Sequence, residues 1–455
     1  MSKSLFNEFE PVSIKAWKQK IQLDLKGADY NNTLIWNSIE GVDVKPFYHL
    51  EDFKLSQGIK TEASKWDVCQ SIFVADVVKS NIKAIDILNR GAESIKFIIP
   101  SEDISIDELI KNIDLTSISL HFELQFLSES FVKQLNTIAA KAKISIHTDI
   151  IGNLAKSGNW YSNLKEDHSK FETIVKQTLS FGVDMSLYQN AGANIIQQLT
   201  YGLAHTNEYL NHLDNIIAND DKQSLKVIFN TSIGTNYFFE IAKLRALRLL
   251  WNTLASEYNI NTDCHIIAAP TKRNKTLYDY NTNMLRTTTE CMSAILGGAN
   301  TVCNLSYDAI YHKDNEFGER ISRNQLLVLK HESYFDKIDN PADGAYYIEE
   351  LTHQFAEKAL ELFKDIETNG GFLQQLKEGT IQRKIKESAI KEQTLFNDGE
   401  EVLLGTNKHP NPNDKMKHDL ELYPFIKINT RKTLIEPIIE KRLAETVEQK
   451  RLDNE

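Results

Sequence analysis

From residue 66 to residue 306 the apolar positions keep switching between two periods. Runs rich in β-branched and aromatic residues read as strands: VCQSIFV (68–74), SIKFII (94–99), SISLHFEL (117–124), ISIHTDII (144–151), DMSLY (184–188), LKVIFNTS (225–232), CHIIAAP (264–270) and TVCNLS (301–306). Between them apolar residues recur at helical spacing, most clearly in NYFFEIAKLRALRLLWNTLASEY at 236–258. A further helix is predicted within 280–300, where Met284, Leu285, Thr288, Met292, Ile295 and Leu296 fall near one face and Gly297 and Gly298 end it. Arg286 sits inside that apolar stripe, where either the lining of a site or a plain barrel wall would place it. Alternating strands and helices over about 240 residues match the size of a (β/α)8 barrel of the TIM type. An open doubly wound sheet would show the same alternation, but no G-x-G-x-x-G follows the first strand.

The flanks divide the chain into an N-terminal arm (1–60), the barrel with its last helices (61–370) and a C-terminal helical and loop extension (371–455). In the arm, Ile14, Trp17, Ile21 and Leu25 make one helical stripe that Gly27 ends. So few apolar positions cannot close a core, so the arm must pack on its own barrel or embrace a partner subunit. The stretch NPADGAYYIEELTHQFAEKALELFKDIETNGG (340–371) predicts a turn, a short strand and a long amphipathic helix. Beyond it, GTNKHPNPNDK (405–415) is a loop and IEPIIEKRLAETVEQKRLDNE (435–455) a last helix, with too few apolar residues for another domain.

Charge narrows the partners. A formal net charge of −11 without a basic tract argues against nucleic acid and against an anionic membrane surface. The first twenty residues lack the apolar core and small-residue cleavage site of a signal peptide, and no uncharged run approaches the roughly 18 residues that span a bilayer. Cys69, Cys264, Cys291 and Cys303 are dispersed with no C-x-x-C pair, which reads as reduced core thiols in a cytoplasmic protein and offers no metal site. No H-E-x-x-H, G-x-x-x-x-G-K-[ST] or Ser-His-Asp order supports a zincin, P-loop or hydrolase reading.

Several stretches resemble the methylmalonyl-CoA mutase family: SIGTNYFFEIAKLRALRLLWNTL, YQNAGAN, YDYNTNMLRTT followed by GGAN, DNPADGAYYIEELTHQFAEKALEL and LLGTNKHPNP. The arm, with PVSIKAWKQKIQLDLKGADY and TLIWNSIEGVDVKPFY, is similar to that of the family's small subunits. The likeness runs through essentially the whole chain in order. It implies adenosylcobalamin chemistry, in which a radical abstracts hydrogen from the substrate and a thioester group migrates inside a shielded barrel.

Set against the family, this chain departs at the chemistry. The resemblance calls for a cobalamin-binding domain marked D-x-H-x-x-G, and the nearest string is DCHIIA, with Asp263 and His265 in place but Ala268 where glycine belongs. It opens a predicted barrel strand, so His265 is expected to be an ordinary strand histidine. Catalytic chains carry a tyrosine–histidine pair where Ser186 and Leu187 stand here, and a histidine-x-glutamine where Ile267 and Ala269 stand. The arginine that grips the substrate carboxylate corresponds to Ser157, and the tyrosine loop after the first strand is shortened away. Losing one positioned acid or donor of this kind typically costs about 10²–10⁴ in rate.

The resemblance therefore implies a small, non-catalytic subunit of a heterodimeric methylmalonyl-CoA mutase, with no cofactor of its own and with adenosylcobalamin on the large partner subunit. The alternatives are a mutase barrel that works with a separate cobalamin-binding protein, or an acyl-CoA-binding module. No catalytic residue is assigned. His147, where catalytic chains face the substrate with a polar residue, and Gln189 and Asn190, at a strand's C-terminal end, are the candidates for vestigial substrate contacts, with a structural hydrogen bond as the competing role for the last two. His121 shares with His147 a strand position that can point into the bore, and Arg320 and Arg323 are read as a surface or interface charge pair.

Overall fold

The computed structural model describes residues 8–52, 59, 61–139, 143–427 and 430–455; the rest of the arm, residues 1–7, 53–58 and 60, lies outside the described residues. A two-residue hairpin, β1 (Trp36–Asn37) and β2 (Asp43–Val44), precedes the barrel. Eight parallel strands follow: β3 (Asp67–Phe73), β4 (Ser94–Ile99), β5 (Ser119–Leu124), β6 (Lys143–His147), β7 (Ser180–Asp184), β8 (Lys226–Ile233), β9 (Cys264–Pro270) and β10 (Thr301–Cys303). Their order is β6-β5-β4-β3-β10-β9-β8-β7, and the two end strands meet where Gly182 N–H donates to Thr148 O at 3.3 Å. The first and last strands pair as a barrel requires, Cys69 opposite Cys303. This is a TIM-type α/β barrel with helices around it.

Strand alternation builds its two faces. Ile95, Phe97, Leu120 and Phe122 point outward into an apolar layer with Phe131, Val132 and Leu135 of the covering helix. The helix Tyr237–Glu257, capped by Asn236, is buried on several sides because the helices Ile195–Leu213 and Tyr346–Thr368 pack against it. Its Arg245 is nearly inaccessible and bonds Asp343 at 2.5 Å and Glu349 at 2.7 Å, so the outer helix is fixed by charge as well as by apolar packing.

Three sequence readings need correction. DMSLY is not a strand: the strand is Ser180–Asp184, and Ser186–Asn190 forms one helical turn after it. Gly182, in the middle of the strand and facing His147, interrupts the apolar pattern and hid the strand. No short strand precedes the helix at 346; Tyr346, Tyr347 and Ile348 are already its first turn. The last helix covers only Glu445–Asp453. Residues 434–443 instead run extended, because the N–H groups of Leu434, Ile438, Lys441 and Leu443 donate to the carbonyls of Gly158, Ala155, Asn190 and Arg273 rather than to their own chain.

The arm has two halves. Its hairpin packs on its own barrel: Val42 is fully buried, Trp36 lies 5.5 Å from Phe239, and Tyr48 lies 5.4 Å from Tyr347. The helix Ile14–Asp24 buries no residue, and Trp17 remains 49% exposed. No described helix is long and apolar enough to cross a membrane.

Candidate functional site

The inward positions of the strands fill the bore with polar groups. The ring centroid of His121 (β5) lies 5.7 Å from that of His147 (β6) and 5.5 Å from that of His265 (β9). Next to them Lys96 (β4) bonds Glu123 (β5) at 2.6 Å. Burial takes His121 and His147 well below the usual imidazole range and His265 down to about 4, so all three rings are neutral. Burial also opposes the charge on Lys96, but Glu123, with Cys303 and Asp184, outweighs it and holds Lys96 above its ordinary value. Lys96 in turn holds Glu123 below the carboxylate range.

Hydrogen bonds fix this packing only in part. His147 Nδ1 meets the Asn230 amide at 3.0 Å, and His265 Nε2 meets Thr301 Oγ1 at 2.9 Å. Both nitrogens of His121 and Nε2 of His147 have no partner among the described residues. The bore is thus occupied by three neutral rings and one ion pair. A cavity of about 590 Å³ opens below them, at the N-terminal ends of the strands, lined by Ser119, Lys143, Lys226 and Asp263.

The C-terminal mouth is crossed by the chain's own tail. Residues 434–443 form a strap over the loops after β6, β7 and β9, through the backbone bonds described above. Asn190 is the strap's main anchor: its Oδ1 accepts from Thr271 Oγ1 at 2.7 Å and Lys272 N–H at 3.1 Å, and its amide donates to Glu440 at 2.9 Å. Gln189 points elsewhere, accepting from Lys243 Nζ at 3.1 Å and donating to Glu240 at 3.4 Å beneath the arm hairpin. The three candidate residues all stand near the C-terminal ends of strands, but the fold does not gather them: His147 faces the bore, Gln189 the arm and Asn190 the strap.

Two arginines resolve differently. Arg286 bonds Thr276, Asn283 and the carbonyl of Leu404, tying the barrel wall to the extension. Arg323 is not a surface charge; it is 5% exposed and donates to Gln70 of β3 at 2.9 Å, because its helix turns that face inward. Arg320 does stay outside, over the Phe317 ring. Lys96 and Glu123 escaped the sequence reading, although a lone charge at the inward position of SIKFII and of LHFEL is the signal for them.

The family model for methylmalonyl-CoA mutase matches residues 100–452. The methylmalonyl-CoA mutase small subunit of Porphyromonas gingivalis is 35% identical over 441 residues, covering 90% of this chain and 71% of that protein. The chain belongs to the methylmalonyl-CoA mutase family. The methylmalonyl-CoA mutase of Cereibacter sphaeroides is 26% identical over 459 residues, covering 87% of this chain and 64% of that protein. A probable methylmalonyl-CoA mutase large subunit of Mycobacterium bovis is 31% identical over 240 residues, covering 51% of this chain and 31% of that protein.

The mutase family is cobalamin-dependent, and the residues present here do not fit that cofactor. His265, second in β9 and facing the N-terminal cavity, is already bonded to Thr301, and the C-terminal mouth of the barrel is crossed by the strap. The positions at which the sequence resemblance leads one to expect a departure from the family's catalytic chains have structural roles here. Leu187 is 2% exposed in the apolar core, Ser186 bonds Asp184, Ile267 is buried, and Ser157 Oγ donates to Asn159 O at 2.8 Å.

Proposed function

We propose that this chain is the small, non-catalytic subunit of a heterodimeric methylmalonyl-CoA mutase, which interconverts methylmalonyl-CoA and succinyl-CoA. The large subunit carries adenosylcobalamin, the substrate and every catalytic group. The observation that supports this reading above all is the filled bore: a barrel that must enclose a migrating thioester has His121, His147 and His265 packed across it and Lys96 paired to Glu123. On this reading His147, Gln189 and Asn190 keep the places of a former substrate site but hold the scaffold together, and acyl-CoA has no seat in the bore. The barrel of 61–370 and the extension of 371–455 form the scaffold, and the arm of 1–60 is its partner-contacting element. The exposed apolar residues of its described first half, Phe9, Val12, Trp17 and Leu23, supply the contact.

The test is to purify the chain alone and with a large subunit, add adenosylcobalamin, and follow succinyl-CoA formation and the cobalamin spectrum. Alone, the chain is expected to retain no cofactor and to show no turnover; the complex is expected to do both. Leu187→His in the isolated chain should stay inactive, because groups that act as a unit give little when one is restored. Stoichiometric cobalamin on the isolated chain, or turnover by it, overturns the reading.

A further inference from the structure

Beside the strap lies a cleft of about 910 Å³, over the C-terminal mouth of the barrel. Its charge runs against the rest of the molecule. The chain carries a net −11, yet Lys156, Lys272, Arg273, Arg431, Lys441 and Arg442 line this one cleft. Only Glu440 and Glu445 oppose them there, and both are already engaged. Glu440 accepts from Asn190, and Glu445 accepts from the N–H groups of Arg442 at 2.9 Å and Ile426 at 3.3 Å.

The arginines are engaged as well. Arg273 donates to Glu392 and to Lys441 O, Arg431 to Ser157 O, and Arg442 to Lys275 O. The side-chain nitrogens of Lys272 and Lys441 have no hydrogen-bond or ion-pair partner among the described residues. Burial opposes the charge of Lys156, but Glu440, Asp184 and Glu123 keep it above its ordinary value, so it stays an ammonium. The remaining walls are apolar and aromatic: Ile310, Phe425, Ile438 and Ile439, with the ring of Tyr423 57% exposed at 5.5 Å from Phe425.

We propose that this cleft binds a nucleoside phosphate, its phosphates held by Lys272, Lys441 and Lys156 and its base laid against Tyr423. Two lysines without a hydrogen-bond or ion-pair partner, with Lys156 beside them in a concave site, suit a multiply charged anion, and lysine is a common point-charge partner of phosphate. The volume lies in the range of small-molecule sites, and an exposed aromatic face beside cations suits a base better than an aliphatic acid does. The site does not depend on the chain's being a subunit of any assembly, since every residue in it comes from this chain.

Isothermal titration of the full chain with ADP tests it, with adenosine and succinate as probes lacking phosphate. ADP is expected to bind, and both other probes to bind at least about tenfold more weakly. Lys272→Glu and Lys441→Glu together should weaken ADP at least about tenfold, and Tyr423→Ala severalfold, while Lys45→Glu on the arm should change nothing. Lys272→Gln with Lys441→Gln gives a milder pair should the reversed charges disturb folding. No heat with ADP at millimolar concentration, equal binding of succinate, or ADP affinity unchanged in folded lysine variants overturns the proposal.

Discussion

The side-chain amide of Asn190 donates to the carboxylate of Glu440 at 2.9 Å, joining the turn after β7 to a residue 250 positions later. Thr271 Oγ1 and Lys272 N–H converge on the same asparagine. Asn190→Ala removes all three bonds and leaves the buried Thr271 hydroxyl unmatched, which should cost about 1–3 kcal/mol. Urea denaturation measures that loss, and limited proteolysis should cut the strap between 434 and 443 sooner in the variant. An unchanged midpoint with an unchanged cleavage rate would show that the strap is held without it.

The three bore histidines set an acid limit. They are neutral in the fold, with His265 lowered to about 4, whereas unfolded imidazoles take up protons below about 6.5. The unfolded chain therefore binds more protons in that window. The stability these rings allow is whole above about pH 6.5 and falls as the pH drops through the folded values, by up to about 1.4 kcal/mol per pH unit for each ring. His121→Phe should flatten the decline between pH 7 and pH 5, read as the difference in unfolding free energy between variant and parent.

Glu40 works in the opposite direction. Burial first, with Glu240 and Glu392 adding to it, raises this carboxyl to about 8, although it accepts from Ile195 N–H at 2.5 Å. A folded value above the unfolded one means that the fold holds the proton more tightly. Its contribution is complete below about pH 4.5 and is lost as the pH rises through 8. Glu40→Gln keeps an acceptor for Ile195 and carries no charge, so it should match the parent at pH 5 and exceed it at pH 9. Melting temperatures at the two values decide; equal gains at both would assign the effect to packing.

Arm truncations should separate two roles. Removing residues 1–25 takes away a helix that buries nothing, so the isolated chain should keep its stability within about 0.5 kcal/mol while binding a large subunit more weakly. Removing residues 1–50 also takes Val42 out of the core, and it should destabilise the isolated chain by at least the roughly 1.5–3 kcal/mol of one buried aliphatic side chain. Denaturation of the two truncated chains, beside titration with the large subunit, checks both halves of the expectation.

The barrel was legible because strands covered by helices must be apolar on one face and β-rich throughout. SIKFII and CHIIAAP match the strands residue for residue. The strand at Ser180 was not, because Gly182 stands in its middle and breaks the apolar, β-rich pattern. Residues 435–444 carry helical spacing, yet their N–H groups are claimed by carbonyls far along the chain, which no local pattern records. The same limit applies to the site. That Gln189 and Asn190 end a strand was readable; that one turns to Lys243 and the other to Glu440 depends on elements 54 and 250 residues away.

The meeting of β6 and β7 has a consequence for how the molecule breathes. Seven strand pairs are joined by ladders, whereas these two are joined by Gly182 N–H to Thr148 O and by Asp149, whose carboxylate accepts from Asp184 N–H at 2.8 Å and from Tyr209 at 2.7 Å. One acidic side chain is thus the clasp of the cylinder. Amide protons along this line should exchange with solvent ahead of those in the other strands, and the barrel should uncurl here first, into an open sheet with His147 at its edge.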